Sequence, residues 1–252
     1  MRTSKRHAEI LKMLEVDGSL AIADIASRLD VSLETIRRDI RPLAEDGAIV
    51  RMHGSIALPS QLGEAPFEKR MRENSGAKKA IAAHLASTIA DGDSVMLDTG
   101  TTTSFLAREL LGHRRLTVIT NSSDIARTLA TVNGNRVYMA GGELRSDNGA
   151  AFGLPALDFV RRFAVTHAII SAGAIDEAGI MDFDLDEAEF ARAVLACGQR
   201  RIAASDTSKF ARQGLVRVCA FSDLTELVTD AAPPAIIGDA ILQSGIALTL
   251  SR

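Results

Sequence analysis

From residue 75 onward, short apolar runs rich in β-branched residues alternate with stretches of helical periodicity. Strands that alternate with helices form a parallel-rich sheet, and helices then cover both of its faces. Burial on both faces accounts for strand candidates that are apolar along their whole length. The pattern therefore predicts an α/β domain built on a parallel-rich sheet over residues 75–252.

The same periodicities place the individual elements of this domain. The predicted strands are Ser94–Leu97, Thr117–Thr120, Arg136–Met139, Ala168–Ser171, Arg201–Ala204, Glu226–Val228 and Ala247–Leu250. The predicted helices are Lys78–Ala90, Ser104–Leu110, Ser123–Thr131, Leu154–Phe163, Glu187–Cys197 and Ala235–Gln243. Sheets of this kind bind ligands outside the carboxyl ends of their strands, so residues that directly follow a strand are the site candidates.

Four of these strand ends carry groups suited to holding an anion. They are Asp98-Thr99-Gly100-Thr101-Thr102-Thr103, Thr120-Asn121-Ser122, Gly141-Gly142 and Asp206-Thr207-Ser208-Lys209. A Gly-Thr-Thr turn at a helix start offers free backbone N–H groups, hydroxyls and the positive end of the helix dipole. Each feature alone also fits an ordinary capped turn or a surface lysine. Four of them on one sheet predict a phosphate-binding site.

The first 58 residues predict three short helices followed by a hairpin. The apolar stripes are His7, Ile10, Leu11 and Leu14, then Ile22, Ile25, Ala26 and Leu29, then Leu33, Ile36, Ile40 and Leu43. Ser32 stands where the N-cap of the third helix belongs. We expect that helix to end near Arg41, because the residue before Pro42 disfavours α geometry. Two β-prone runs, residues 48–52 and 55–58, flank a turn at His53-Gly54.

The outer face of the third helix is basic. Two short helices joined by a tight turn, the second basic outside, predict a helix-turn-helix, and the hairpin behind it predicts a wing. Arginine can bond to guanine edges or to phosphates. The predicted DNA contacts are Ser32, Thr35, Arg37, Arg38, Arg41, Arg51 and His53. A three-helix module with a solvated charged face is the alternative, because residues 1–58 hold equal numbers of basic and acidic residues.

The run VSLETIRRDIRPLAEDGAIVRMHGSIALP, from Val31 to Pro59, resembles the N-terminal signature of the DeoR family of bacterial regulators. Its most diagnostic part is the core from Thr35 to Asp39. The chain departs from the family at Ser55, where a second wing glycine is usual, and at Pro42. The segments DTGTT, TNS, AGGELRS, SAGAID, DTSKF and LVTD resemble the family's effector domain, which is related in fold to ribose-5-phosphate isomerase and glucosamine-6-phosphate deaminase.

The resemblance implies a winged helix-turn-helix over residues 1–58, a linker over 59–74 and a sugar-phosphate-sensing effector domain over 75–252. It places a phosphate loop after the first strand of that domain and a characteristic lysine at Lys209. The predicted effector contacts are Asp98, Gly100, Thr101, Thr102, Thr120, Asn121, Ser122, Gly141, Gly142, Asp184 and Lys209. The segments ALPS, GGELRSDNG, LDFVRRF and TDAAPP resemble the subgroup of glycerol-3-phosphate regulon repressors, which suggests glycerol 3-phosphate as effector.

We therefore expect a repressor of a carbohydrate or polyol operon that binds double-stranded operator DNA as a dimer or tetramer. A phosphorylated sugar or polyol would release it. One alternative is a sugar-phosphate isomerase or deaminase with a helical appendage, for which His167, Asp176, Asp184 and Glu187 are conceivable bases. None of these residues lies in a match to the enzymes' catalytic signature, so we expect no enzyme. A helical scaffold that binds no DNA is a weaker third possibility.

Composition narrows the setting in which such a protein works. A net charge of −3 means that any DNA binding must come from a local patch. Cys197 and Cys219 fit neither a disulfide framework nor a metal motif. The chain has no signal-peptide pattern and no apolar run of the roughly 18 residues that a membrane helix needs. We expect a cytoplasmic protein without membrane attachment, cofactor or metal. The acidic run 182–187 is expected to be a solvated loop followed by acids that favour a helix N-terminus.

Overall fold

The computed structural model describes residues 2–17, 19–46, 48–51, 54–57 and 64–251. The chain divides into two compact units, Met1–Ala65 and Pro66–Arg252, and each has its own apolar core. Among the described residues, no helix is both long and apolar enough to cross a membrane.

The first unit contains three helices and a small antiparallel sheet. Its elements are α1 (Arg2–Asp17), β1 (Ser19–Ala21), α2 (Ile22–Arg28), α3 (Leu33–Glu45), β2 (Val50–Arg51) and β3 (Ser55–Ala57). The strand order is β1-β3-β2, so the predicted hairpin gains a third strand that the sequence did not reveal. The three predicted stripes meet in one core, where Ile10, Ile25 and Ile36 are fully buried. Leu33, predicted on the buried face of the third helix, is instead 45% exposed, because it stands at the first position of α3.

Helix α3 runs through Pro42 and ends at Glu45, so the expectation that it would end near Arg41 is wrong. Ser32 caps the helix as predicted, since its Oγ accepts from the N–H of Thr35 at 3.2 Å. Proline lacks the N–H that would bond to the carbonyl of Arg38, and an interior proline is costly in a helix. Continuing the helix places Leu43, which is 7% exposed, in the core, and this burial offsets the lost bond.

The second unit is built on a seven-stranded, wholly parallel sheet, which confirms the predicted α/β class. Its strands are β4 (Ser94–Leu97), β5 (Thr117–Thr120), β6 (Arg136–Met139), β7 (Val165–Ser171), β10 (Gly198–Ala204), β12 (Glu226–Thr229) and β13 (Ala247–Leu250). The order β13-β12-β10-β7-β4-β5-β6 puts β5 on one side of β4 and β7 on the other. The chain thus reverses its direction of winding between β4 and β7, which is the switch point where such sheets bind ligands.

Helices cover both faces of this sheet. They are α4 (Phe67–Arg72), α5 (Ser75–Ser87), α6 (Thr101–Glu109), α7 (Ser123–Leu129), α8 (Leu154–Val160), α9 (Leu185–Ala196) and α10 (Ala235–Ser244). Ile169 and Ile202 pack with α5, α6 and α7, while Ala168 and Ile170 pack with α8, α9 and α10. Helix α6 begins at Thr101 rather than at the predicted Ser104, and α4 lies in the stretch predicted as linker.

A second, antiparallel sheet was not predicted. It consists of β8 (Ala174–Asp176), β9 (Gly179–Asp182) and β11 (Val216–Cys219) in the order β11-β9-β8. An ion pair ties β11 to β8, with Arg217 Nη1 at 2.5 Å and Nη2 at 2.7 Å from the carboxylate of Asp176. The sheet leads from β7 into α9, and it thereby fixes where Asp184 stands at the start of that helix.

Candidate functional site

The outer face of α3 presents three arginines to solvent. Arg37 and Arg41 are 59% and 73% exposed, and Arg38 is also exposed. Arg37 lies 3.9 Å from Glu34 and Arg41 lies 3.8 Å from Glu45. Ion pairs this long and this exposed contribute little, so the guanidinium groups can exchange these carboxylates for phosphates at small cost.

Asp39 turns away from this face, and the sequence reasoning missed its role. It is 1% exposed, and its carboxylate accepts from Arg6 Nε at 2.6 Å. The bond holds α3 against α1 and removes one negative charge from the arginine face. The sequence could have shown this, because Asp39 lies three residues after Ile36 and four before Leu43 and therefore shares the buried face of the helix.

A groove of about 580 Å³ runs along α3 and reaches β2. It is lined by Ser32, Glu34, Thr35, Arg37, Arg38, Arg41 and Arg51. The groove brings together every predicted DNA contact except His53, which lies outside the described residues. Helix, wing strand and four arginines on one open surface form an arrangement that can accept a nucleic-acid backbone.

The predicted effector residues gather at one edge of the large sheet, because the carboxyl ends of parallel strands share an edge. The loops after β4, β5 and β6 are neighbours there, and the loop after β10 lies beyond β7. At the switch point, Ser171 N donates to both carboxylate oxygens of Asp98, at 3.0 and 3.1 Å. This bond closes the gap between the ends of β4 and β7.

Asp98 is the most strongly perturbed group at this edge. Burial raises its pKa well above the usual range for a carboxyl group, and the N–H of Ser171 opposes that shift. The side chain is 6% exposed. A carboxyl with a raised pKa can keep a proton and donate a hydrogen bond, so it need not repel a neighbouring anion.

Gly100 is required by close contact rather than by backbone conformation. Its φ of −175° is open to any residue, but a Cβ there would lie 1.8 Å from Ser171 Oγ. Helix α6 begins directly after it, so the first-turn N–H groups of Thr101 and Thr102 have no acceptor within the helix. Thr103 Oγ1 donates to the carbonyls of Asp98 and Gly100, at 3.0 Å each, and so fixes the loop.

The residues at the end of β5 are fully buried, and hydrogen bonds within the second unit occupy most of their polar side-chain atoms. Ser122 caps α7 by accepting from Ile125 N at 3.4 Å, and Thr120 Oγ1 accepts from Ser122 N at 3.1 Å. Asn121 Nδ2 donates to the carbonyl of Ala151 at 2.9 Å. Within the described part of the chain, Asn121 Oδ1 is buried without a hydrogen-bond donor. This oxygen is one acceptor at the edge that local structure leaves unused.

The loop from Gly141 to Gly153 connects β6 to α8 and is held by Arg145, a residue that the sequence reasoning did not single out. Arg145 lies 3.0 Å from Asp184, 2.5 Å from Asp186 and 3.5 Å from Glu187. Asp184 also caps α9, so its carboxylate serves the protein's own structure. Gly142 has a φ of 146°, and nothing lies within 4 Å of a Cβ built on Gly141, so the loop's start is open.

The end of β10 brings Lys209 to the same edge on a 3₁₀ turn, Thr207–Lys209. Asp206, which is 2% exposed, caps this turn by accepting from Ser208 N at 3.0 Å. Lys78, which belongs to none of the sequence motifs above, is only 3% exposed. Burial lowers the pKa of its ammonium group, and the negative charge of Asp206 opposes that shift. The edge therefore carries two lysines and a buried carboxylate close enough to influence one another electrostatically.

Of the four residues considered as catalytic bases, only His167 is shown to lie away from this edge. His167 bonds to Asp93 at 2.9 Å, and Asp93 directly precedes β4, so the pair lies at the amino end of the sheet. Asp176 is paired with Arg217. His167 is therefore not placed to take a proton from a ligand bound beyond the carboxyl ends, and Asp176, Asp184 and Glu187 are each paired with an arginine.

Comparisons with known proteins identify both parts of the chain. The family description "DeoR-like helix-turn-helix domain" matches residues 6–62, and "DeoR C terminal sensor domain" matches residues 73–231.

Three curated relatives match along nearly their whole length. The glycerol-3-phosphate regulon repressor of Escherichia coli K12 is 33% identical, over 99% of this chain and 100% of the relative. The protein of the same name from Haemophilus influenzae is 36% identical, over 94% of this chain and 93% of the relative. The HTH-type transcriptional repressor CsqR of Escherichia coli K12 is 35% identical, over 98% of this chain and 95% of the relative. Among solved structures, ribose 5-phosphate isomerase A from Methanocaldococcus jannaschii aligns with a TM-score of 0.41 at 17% identity, over 56% of each chain.

Proposed function

Because the chain belongs to the DeoR family, we propose that operator DNA binds on α3 and the wing and that a phosphorylated sugar or polyol binds at the carboxyl edge of the large sheet. The protein is a DNA-binding transcriptional repressor and not an enzyme. The effector, the contact residues and the oligomeric state are the parts that we propose.

The observation that carries the DNA site is the arginine groove along α3. In our proposal α3 enters the major groove, where Ser32 and Thr35 at its amino end and Arg37, Arg38 and Arg41 along it contact bases and phosphates. Arg51 and His53 of the wing contact the adjacent backbone. The inward turn of Asp39 supports this role, because it leaves the face more basic than the unit's overall charge suggests.

The effector site proposed here uses the first turn of α6 as the phosphate cradle. The N–H groups and hydroxyls of Thr101 and Thr102 would donate to the phosphate, and Lys209 would neutralise it. Asp98 would donate a hydrogen bond to a hydroxyl group of the ligand, and Asn121 Oδ1 would accept one from a ligand hydroxyl. The remaining contacts in the proposal are Gly100, Thr120, Ser122, Gly141, Gly142 and Asp184. Since two relatives are named glycerol-3-phosphate regulon repressors, glycerol 3-phosphate is the first ligand to test.

Regulation of this kind requires two coupled sites and more than one copy of α3. We assign DNA binding to residues 1–58, the connection to 59–74 and sensing to 75–252. A homodimer or homotetramer would present two recognition helices about one DNA turn apart, as a symmetric operator requires. Such a repressor works in the cytoplasm, where the bacterial chromosome lies.

Operator binding at several salt concentrations tests the DNA site. Arg38→Ala should weaken binding to the protein's own promoter and lower the salt slope by about one. The matched control is Arg114→Ala, an exposed arginine of the second unit, which should leave both unchanged. If Arg37→Ala and Arg38→Ala bind as tightly as the wild type, α3 is not the recognition helix.

Effector release tests the second site. Thr101→Ala and Lys209→Ala should keep operator affinity but need a higher concentration of glycerol 3-phosphate for release. Lys79→Ala removes an exposed cation from α5 and serves as control for charge alone. A normal response in Thr101→Ala and Lys209→Ala would refute the proposed phosphate cradle.

A further inference from the structure

Helix α4 and the residues up to Asn74 are anchored at both ends by carboxylates from two strand-end loops. At its amino end, Phe67 N donates to the two carboxylate oxygens of Asp147 at 3.2 and 3.3 Å. At the other end, Asn74 Nδ2 donates to Asp206 Oδ1 at 3.0 Å. Asp147 follows β6 and Asp206 follows β10, and these strands are separated in the sheet by β5, β4 and β7. Residues 67–74, hereafter the strap, therefore span the edge where the proposed effector contacts lie.

The strap is also held from within its own unit. Lys78 Nζ donates to the carbonyl of Arg70 and, at 2.7 Å, to the carbonyl of Glu73. The guanidinium of Arg70 lies over the ring of Phe67 at 5.6 Å, and α4 packs against α6. The strap is thus an ordered part of the second unit that rests on the helix proposed to cradle phosphate.

Asp206 links the strap to the proposed effector lysine. Its Oδ1 accepts from Asn74 Nδ2 and from Ser208 N, both at 3.0 Å. The second bond caps the 3₁₀ turn that carries Lys209. One buried oxygen is therefore shared by the strap and by the turn that would respond to an anion.

We propose that the strap is the element through which effector binding reaches the DNA-binding unit, and that the Asn74–Asp206 bond is the tether that the effector alters. This inference rests on the proposed function. An anion that draws Lys209 toward the cradle moves the 3₁₀ turn. Asp206 Oδ1 can then no longer accept hydrogen bonds from both Asn74 Nδ2 and Ser208 N. The strap is the first helix after the segment that joins the two units, so a loosened strap changes how the first unit is attached. The effector acts by favouring the loosened state over the tethered one.

The test compares two asparagines that share an unusual backbone conformation. Asn74 and Asn133 both have positive φ, 50° and 51°, and both donate a side-chain amide. Asn74→Gly removes the tether without backbone strain, and Asn133→Gly removes equivalent bonds to the carbonyls of Leu111 and His113. The full-length variants are compared with the wild type by amide hydrogen exchange and by operator binding with and without glycerol 3-phosphate.

We expect exchange in residues 67–74 to be about tenfold faster in Asn74→Gly than in Asn133→Gly, as loss of one bond to a charged acceptor implies. Asn74→Gly should bind glycerol 3-phosphate but show a smaller ratio of operator affinities without and with it than Asn133→Gly does. Equal exchange, or equal affinity ratios in both variants, overturns the strap proposal. Wild-type protein that binds no operator, or binds it without response to any phosphate ester, instead refutes the proposed function, while the exchange comparison still decides whether the tether holds the strap.

Discussion

Replacing Gly100 by alanine should force apart the carboxyl ends of β4 and β7. The new Cβ would lie 1.8 Å from Ser171 Oγ and 2.7 Å from Ser171 Cβ, distances that no rotation of the serine hydroxyl can fully relieve. The backbone itself is not strained, since φ is −175°. The cost is therefore overpacking, for which we expect roughly 1–3 kcal/mol of lost stability in the second unit.

A rescue series separates the two clashes. Gly100→Ala combined with Ser171→Ala removes the Oγ clash but leaves the Cβ contact at 2.7 Å, so recovery should be partial. Combined with Ser171→Gly, both of these clashes disappear and the nearest remaining contact is Thr103 Oγ1 at 3.2 Å, so stability should return close to that of Ser171→Gly alone. The interaction free energy between the two positions should therefore be clearly different from zero, as it is for residues in contact.

Tyrosine fluorescence provides a reporter for this unit alone. The chain has one tyrosine, Tyr138 in β6, and no tryptophan. For a domain of this size a loss of 1 kcal/mol lowers the thermal midpoint by about 2–4 °C, so a mid-range cost of about 2 kcal/mol predicts about 4–8 °C. Gly112→Ala, whose Cβ would meet nothing within 4 Å, is the control. A midpoint for Gly100→Ala equal to that of Gly112→Ala, or no rescue by Ser171→Gly, would refute the reasoning.

Three further predictions concern single residues. Pro42→Ala restores an N–H inside α3 and should stabilise the first unit by up to about 3 kcal/mol, seen as a later loss of helical circular dichroism; earlier loss would contradict it. Asp39→Asn weakens the bond to Arg6 and should lower both the melting temperature of the first unit and operator affinity, whereas Arg38→Ala should lower affinity alone. Because Asp98 has a raised pKa, the folded protein binds its proton more tightly, so wild type should gain stability relative to Asp98→Asn as pH falls through that pKa towards about 4. A constant difference in melting temperature from pH 8 to pH 4 would show that Asp98 titrates normally.

The central strands of the large sheet were predictable because they are short apolar runs that are mostly buried, whereas the edge strands β6 and β13 are more exposed. β4, β5, β6 and β13 have the predicted bounds. The three strands of the small sheet were not predicted, because in this fully described part of the chain no α-helix separates β8 and β9 from β7, or β11 from β10, so the alternation of strands with helices does not mark them. Pro42 was misjudged for a different reason: local preference ends the helix there, but burial of Leu43 continues it.

In the candidate site, too, the sequence could place some residues and not others. Its donor-rich loops follow strands directly, so the chemistry of Thr101 or Asn121 could be placed at the sheet edge from the pattern alone. Arg145, Lys78 and Ser171 could not, because each acts on residues distant in the chain and only the fold brings them together. Asp39 is the exception, since helical spacing already placed it on the buried face.

The bond between Asp98 and Ser171 has a consequence for the order in which the protein matures. It joins residues 73 positions apart, and the strands that carry them pair side by side only after the intervening chain has been made. Contacts this remote form slowly, whereas the contacts that close the N-terminal unit, such as Arg6 to Asp39, span a shorter stretch of chain, and that unit leaves the ribosome first. We therefore expect a nascent chain to become competent to bind DNA before the site that would bind the metabolite has formed.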